Sequence, residues 1–275
     1  MQTEPAILTA AICGAETTRE QTPYLPITAE ELGEEAARCA AAGASVIHLH
    51  VRKNDGTPTQ DRALFDKAIR AIRARCDVIV QTSTGGAVGM SAAERAQPLD
   101  CNPEMATLNA GSLNFGEDVF LNPFPMVREF AARMREKRIV PELECYDAGH
   151  IESCLWLAGQ GVIDLPAHFD FVMGVRGGIA ATEENLRFLV GKLPPGCSFN
   201  VAGIGRFQLP MAELSLRMGG HARCGLEDNV YLSKGVLAKG SYELVAELSK
   251  LARAAGREIA TPARARQLLR IPARA

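Results

Sequence analysis

The chain has 275 residues, near the ~250 of one (β/α)8 barrel and long enough to bury a large core without disulfide or metal staples. Its 30 Lys and Arg stand against 32 Asp and Glu, a formal charge of −2 with no long run of either sign. That balance argues against a nucleic-acid-binding face, and no apolar run approaches the ~20 residues that span a bilayer. The opening Met1–Pro5 is polar and lacks the basic-then-apolar order of a signal peptide, so a cytoplasmic protein is expected. The eight cysteines form no CxxC pair and lie in apolar segments, the pattern of reduced, buried thiols.

Short apolar runs alternate with amphipathic helices. Ala6–Ile12 reads as a first strand. Thr28, with Glu31 three residues on, forms a capping box for a helix that ends at Gly43. Ser45–His50 is the second strand, followed by a helix over Arg62–Arg75. Val78–Thr82 is the third, followed by a short helix at Ser91–Ala96. Met105–Asn109 is the fourth, followed by a helix over Pro123–Lys137. Ile139–Cys145 and Phe169–Gly174 are the fifth and sixth, with helices from about Ile151 to Gly159 and over Thr182–Val190. Ser198–Ala202 and His221–Leu226 are the last two, with helices near Leu209–Met218 and Tyr242–Ala255. Eight strand–helix units predict an α/β fold, a closed parallel (β/α)8 TIM barrel forming one catalytic domain over residues 1–275. The rival, an open doubly wound sheet, lacks a GxGxxG at its first helix. Trp156 is most simply a core residue.

In a barrel, chemistry gathers at the C-terminal ends of the strands. Polar residues fall there: Glu16, His48 and His50 with Arg52 after them, Ser83-Thr84-Gly85-Gly86, Thr107 and Asn109, Glu142 and Glu144, Arg176, Gly203–Arg206, and Arg223, Glu227 and Asp228. His48 and His50, two apart on a strand, point to one side and can hold one metal ion. Glu227 is the candidate third ligand, because closure brings strand eight beside strand one and near strand two. Of the adjacent pair Glu227 and Asp228, one can bind metal while the other, oriented by Arg223, serves as base. The STGG and GxGR turns can present backbone N–H groups to a carboxylate or phosphate, Gly86 among them, or be plain tight turns.

Six stretches resemble the β-keto acid cleavage enzymes: CGAETTREQTPYLPIT (13–28), AGASVIHLHVRKNDGTPTQD (42–61), STGG (83–86), PEMATLNAGSLNFG (103–116), PELECYDAGHI (141–151) and GGHARCGLEDNVYLSKG (219–235). HLHVR and GLEDN are the specific ones. The resemblance implies one Zn2+ on His48, His50 and Glu227, and a base dyad of Asp228 and Arg223, with Asp228 kept ionised by Arg223. It also implies substrate contacts from Glu16, Ser83, Thr107 and Glu144, with Glu142 the less favoured acid. The implied reaction is an acyl transfer between a β-keto acid and acetyl-CoA, giving acetoacetate and a new acyl-CoA. 3-Keto-5-aminohexanoate is one such acid, and Glu16 would suit its amine. A homotetramer is also implied. Departures are Lys53 in place of an acid after HVR, HARCG in place of HVRVG, and Phe199 in place of a Trp; none touches a proposed ligand. The alternative from the HxH pattern is a metal-dependent hydrolase, which would need no acetyl-CoA.

Overall fold

The computed structural model describes residues 4–273. Eight strands, β1 (Leu8–Ala11), β2 (Val46–Leu49), β3 (Ile79–Thr82), β4 (Met105–Asn109), β5 (Val140–Cys145), β6 (His168–Met173), β7 (Ser198–Gly203) and β8 (Ala222–Cys224), form one sheet in the order β7-β6-β5-β4-β3-β2-β1-β8. Every pairing in it is parallel. Its two ends meet where the His221 N–H donates to the Phe199 carbonyl at 2.8 Å. The sheet is therefore rolled into a nearly closed (β/α)8 barrel.

Around it run α1 (Ala29–Ala42), α2 (Arg62–Arg73), α3 (Ala92–Arg95), α4 (Phe124–Glu136), α5 (Ala148–Gly159), α6 (Glu183–Val190), α7 (Gln208–Arg217) and α8 (Ser241–Ala254). Thr28 caps α1 as its sequence predicts: its side chain accepts the Glu31 N–H, and the Glu31 carboxylate accepts the Thr28 N–H. Gly43 ends the helix at φ 118, a conformation that L side chains rarely adopt.

Outward-facing strand residues such as Leu8, Ile47, Leu49 and Val80 pack against Leu32, Phe65, Ile69 and Leu248 of the helical layer. Across the barrel, Leu108, Leu143, Phe169 and Val201 meet Val127, Phe130, Leu157 and Leu186. Each such side chain contributes roughly 1.5–3 kcal/mol when fully buried. A ninth helix, α9 (Pro262–Leu268), closes the N-terminal end, where Ala265 and Leu269 cover Ile7, Val46, Ile79 and Met105. Arg266 fastens it to Glu104 at 2.6 Å and Asp77 at 2.8 Å.

The structure departs from the sequence reading, which predicts no ninth helix, at α5, β8 and Trp156 as well. α5 starts at Ala148, because the Asp147 side chain accepts the Gly149 N–H and caps it earlier. β8 has three residues, because Gly225 turns the chain against β1 so closely that a Cβ there would lie 1.9 Å from the Ala11 oxygen. Trp156 is not core. It is 49% exposed, since the buried stripe of α5 runs through Ile151, Cys154 and Leu157 and leaves it outside. It lies against Phe124, with the Arg128 guanidinium over its ring. All eight cysteines are free thiols. No helix among the described residues is long and apolar enough to cross a membrane.

Candidate active site

The two histidines follow from strand geometry. His48 lies on β2, His50 just past its end, and both are buried. His48 is paired in register with Gln81 of β3, and its Nδ1 lies 2.7 Å from Gln81 Oε1. A carbonyl oxygen only accepts, so Nδ1 carries the proton and Nε2 keeps its lone pair. That nitrogen lies 3.4 Å from Glu227 Oε1, and His50 Nε2 lies 3.8 Å from the same atom. Burial pushes the His50 pKa down to about 4, against the pull of Glu227, so its imidazole is neutral at neutral pH. At His48 burial pulls the same way, but the Glu227 charge prevails and the net direction is upward.

Loops at the β1 and β8 ends set Glu227 in place. Its N–H donates to the Ala11 carbonyl at 3.2 Å, and Thr17 donates to the Leu226 carbonyl at 2.9 Å. Gly14, at φ +67, presses on it so closely that a Cβ would lie 2.6 Å from Glu227 Cγ. Arg52 grips the Gly14 carbonyl through Nε at 3.1 Å and Nη2 at 2.8 Å. Glu227 Oε2 is buried with no hydrogen-bond partner among the described residues. The donor atoms of His48, His50 and Glu227 all lie within 4.8 Å of one another. Two imidazoles and a carboxylate with one unpaired oxygen fit a divalent cation, and His-His-Glu is a three-ligand set that leaves a position for substrate.

Arg223 organises the acids beside this triplet. It donates to Asp228 through Nε and Nη2, both at 2.9 Å, and to Glu227 through Nη2 at 2.6 Å. Burial opposes its charge, but Asp228 and Glu227 hold it well above the usual range. Burial pushes Glu227 up, yet His48 and Arg223 together hold it well below the carboxylate range. At Asp228 burial outweighs Arg223, and the pKa lies above its ordinary value, so Arg223 fixes the carboxylate without lowering its proton affinity overall. Glu144 is pushed up to about 7, chiefly by burial. A second acidic group, Glu142, Glu144 and Asp170, is also close enough to be considered for a metal. There, however, Arg223 Nη1 lies 3.5 Å from Glu144 and 3.8 Å from Asp170, and His168 Nε2 lies 3.2 Å from Glu142, so protein groups already face the carboxylates.

These groups line a cavity of about 490 Å³ at the C-terminal end of the barrel, walled by Phe115, Phe120, Tyr146, Val172 and Ile204. Ser83, Gly86, Glu144 and the exposed Glu16 also line it. Thr107 sits behind this surface. Its hydroxyl accepts the Thr84 N–H at 3.2 Å and its carbonyl accepts the Thr84 hydroxyl at 2.6 Å, which holds the STGG turn. Glu142 pairs with His168 deeper in the barrel, and Arg176 stands exposed at the rim. In the GxGR turn, the Gly205 N–H donates to the Asp228 carbonyl at 2.8 Å. Sequence reasoning missed Gln81 and Gly14, and placed Arg52 at the strand end without a role. Gln81 was findable: it lies two residues before Ser83 on β3 and so shares its face.

A family model described as beta-keto acid cleavage enzyme matches residues 5–271. The chain belongs to the β-keto acid cleavage enzymes. Membership in this family makes it a carbon–carbon bond-cleaving acyltransferase. Among its relatives, the 3-keto-5-aminohexanoate cleavage enzyme of Fusobacterium nucleatum is 51% identical over 268 residues, 97% of this chain and 98% of that one. The 3-oxoadipate:acetyl-CoA acetyltransferase of Cupriavidus necator is 40% identical over 274 residues, 98% and 96% of the two chains. The solved apo structure of ObcA shares the fold, with a TM-score of 0.80 at 21% identity, covering 90% of this chain and 66% of that one.

Proposed function

We propose that this β-keto acid cleavage enzyme joins a β-keto acid to acetyl-CoA and releases acetoacetate and a new acyl-CoA, using one zinc ion. The observation that carries the reading is the His48, His50 and Glu227 triplet, with Asp228 held beside it by Arg223 at the floor of one cavity. His48, His50 and Glu227 would hold the zinc, which supplies Lewis acidity at the 3-keto oxygen and so makes the C2 proton more acidic.

Asp228 takes that proton, aimed by its two hydrogen bonds from Arg223. Ser83, Gly85 and Gly86 line the cavity where the substrate carboxylate would lie, while Thr107, accepting the Thr84 N–H, keeps the turn in shape. The C2 carbanion attacks the thioester carbonyl of acetyl-CoA, forming a carbon–carbon bond as CoA thiolate leaves. The thiolate then attacks the former 3-keto carbon. The original C2–C3 bond breaks, its electrons go to C2, and protonation there gives acetoacetate beside the new acyl-CoA. The apolar wall keeps water from the thioester.

Glu16, at the rim, would pair with a cationic group such as the amine of 3-keto-5-aminohexanoate; the relative of that name supports this choice. The assembly is a homotetramer, which would cover exposed apolar side chains such as Leu121 and Phe124.

The test is incubation of the purified protein with acetyl-CoA and a panel of β-keto acids, followed by mass spectrometry. Acetoacetate that requires acetyl-CoA and is lost in His48→Ala supports the reading. Product formed without acetyl-CoA would replace it with the hydrolase. Glu16→Gln should lose the preference for aminated over plain acids; unchanged selectivity removes Glu16 from substrate recognition.

A further inference from the structure

Behind Arg223, away from the triplet, the barrel holds a polar row that the scheme above does not use. In the parallel register Asn109 pairs with Glu144, Glu144 with Asp170, and Asp170 with Asn200. Partners in a parallel ladder share a face, and Glu144 and Asp170 both approach Arg223, so the row points into the barrel. Asp170 and Asn200 are wholly closed to solvent and Asn109 nearly so. Neither oxygen of Asp170, neither amide atom of Asn109 or Asn200, nor Nη1 of Arg223 has a hydrogen-bond partner among the described residues. Buried polar groups left unpaired are costly, and a cluster of them at this spacing is the setting in which proteins enclose water.

The geometry at Arg223 gives this row a purpose. Its Nε and Nη2 edges are taken by Asp228 and Glu227, but Nη1 stands 3.5 Å from Glu144 and 3.8 Å from Asp170, within ion-pair range but without a hydrogen bond to either. A guanidinium fixed on one side only can tilt, and Asp228 would tilt with it. We infer that Asp170, through enclosed water shared with Asn200, holds the free edge of Arg223 and so fixes the aim of the Asp228 carboxylate. Asp170 is thus a positioning residue for the base, an assignment that rests on Asp228 being that base. Burial, reinforced by Glu142, holds the Asp170 pKa well above its ordinary value, which favours the protonated carboxyl, both donor and acceptor. Asparagine mimics that state; leucine has the size but no polar atom.

The experiment compares Asp170→Asn, Asp170→Leu and Asn200→Leu in the zinc-loaded enzyme, each with and without Arg223→Ala. Asp170→Leu should lower kcat by roughly 10- to 100-fold while KM for the keto acid stays within about twofold, the signature of a misaimed group. Asp170→Asn should stay within about threefold of wild type. In the Arg223→Ala background Asp170→Leu should cost nothing more. A crystal structure of Asp170→Leu should show Arg223 turned from its place on Asp228. Wild-type kcat in Asp170→Leu, equal losses in the Asn and Leu variants, or an unmoved Arg223 would overturn the assignment. If Asp170→Leu fails to fold, Asn200→Leu carries the same expectations. The position of Arg223 needs no turnover, so it tests this inference even if the wild type fails to use acetyl-CoA, which would refute the functional reading instead.

Discussion

Gln81→Leu isolates what one hidden hydrogen bond does for the His48, His50 and Glu227 triplet. Gln81 is fully buried, its Oε1 lies 2.7 Å from His48 Nδ1, and its Nε2 has no hydrogen-bond partner among the described residues, so the substitution removes one interaction and little else. Two effects separate. Losing a buried hydrogen bond costs about 1 kcal/mol of stability, read in the metal-free protein by urea unfolding. Losing the acceptor on Nδ1 also frees the imidazole to rotate and to place its proton on Nε2, the ligand atom. Outer partners of this kind are worth about 10- to 100-fold in metal affinity, or about 1.4–2.7 kcal/mol. The assay is competition for zinc against a chelator of known affinity, with wild type, Gln81→Leu and Gln81→Glu. The glutamate variant keeps an acceptor and adds charge, so it should bind at least as tightly as wild type. Zinc affinity in Gln81→Leu within about twofold of wild type would refute the reasoning, because it would mean that Gln81 does not set the His48 tautomer.

Two further outcomes follow from the same structure. The Glu144 pKa, raised to about 7 mainly by burial, exceeds its unfolded value, so the fold favours the protonated acid; the stability this supplies is present below about pH 4.5 and lost as pH rises through about 7. For the metal-free protein that loss is up to about 3 kcal/mol, and Glu144→Gln should abolish it; unfolding curves of equal pH slope in both proteins would contradict the burial argument. Thr28→Ala removes the α1 cap and should cost about 1 kcal/mol in urea unfolding with kcat unchanged, since the cap lies in the outer helical layer; a matching fall in kcat would show that α1 reaches the site.

Much of this protein is legible in its sequence. Apolar runs followed by amphipathic stretches gave all eight strand–helix units, because burial on one face writes a periodicity into the chain. The His48-x-His50 pair needed only the two-residue repeat of a strand. The place of Glu227 followed from barrel closure, which sets β8 beside β1 and one strand from β2. What the sequence could not hold were relations between strands. Whether Thr107 faces the cavity or supports the STGG turn depends on a bond to Thr84, 23 residues away. Trp156 is outside because the buried stripe of α5 falls on other residues, and aromatic character alone does not say which.

By itself, then, the chain determined its barrel, its two histidines and the acids able to serve them, since these depend on local periodicity and residue chemistry. The tertiary structure alone decided that Gln81 orients His48, that Arg223 joins Asp228 to Glu227, and that Asp170 and Asn200 stand unpaired behind it. The register between neighbouring strands sets those meetings, and a shift of one residue would turn each side chain to the opposite face.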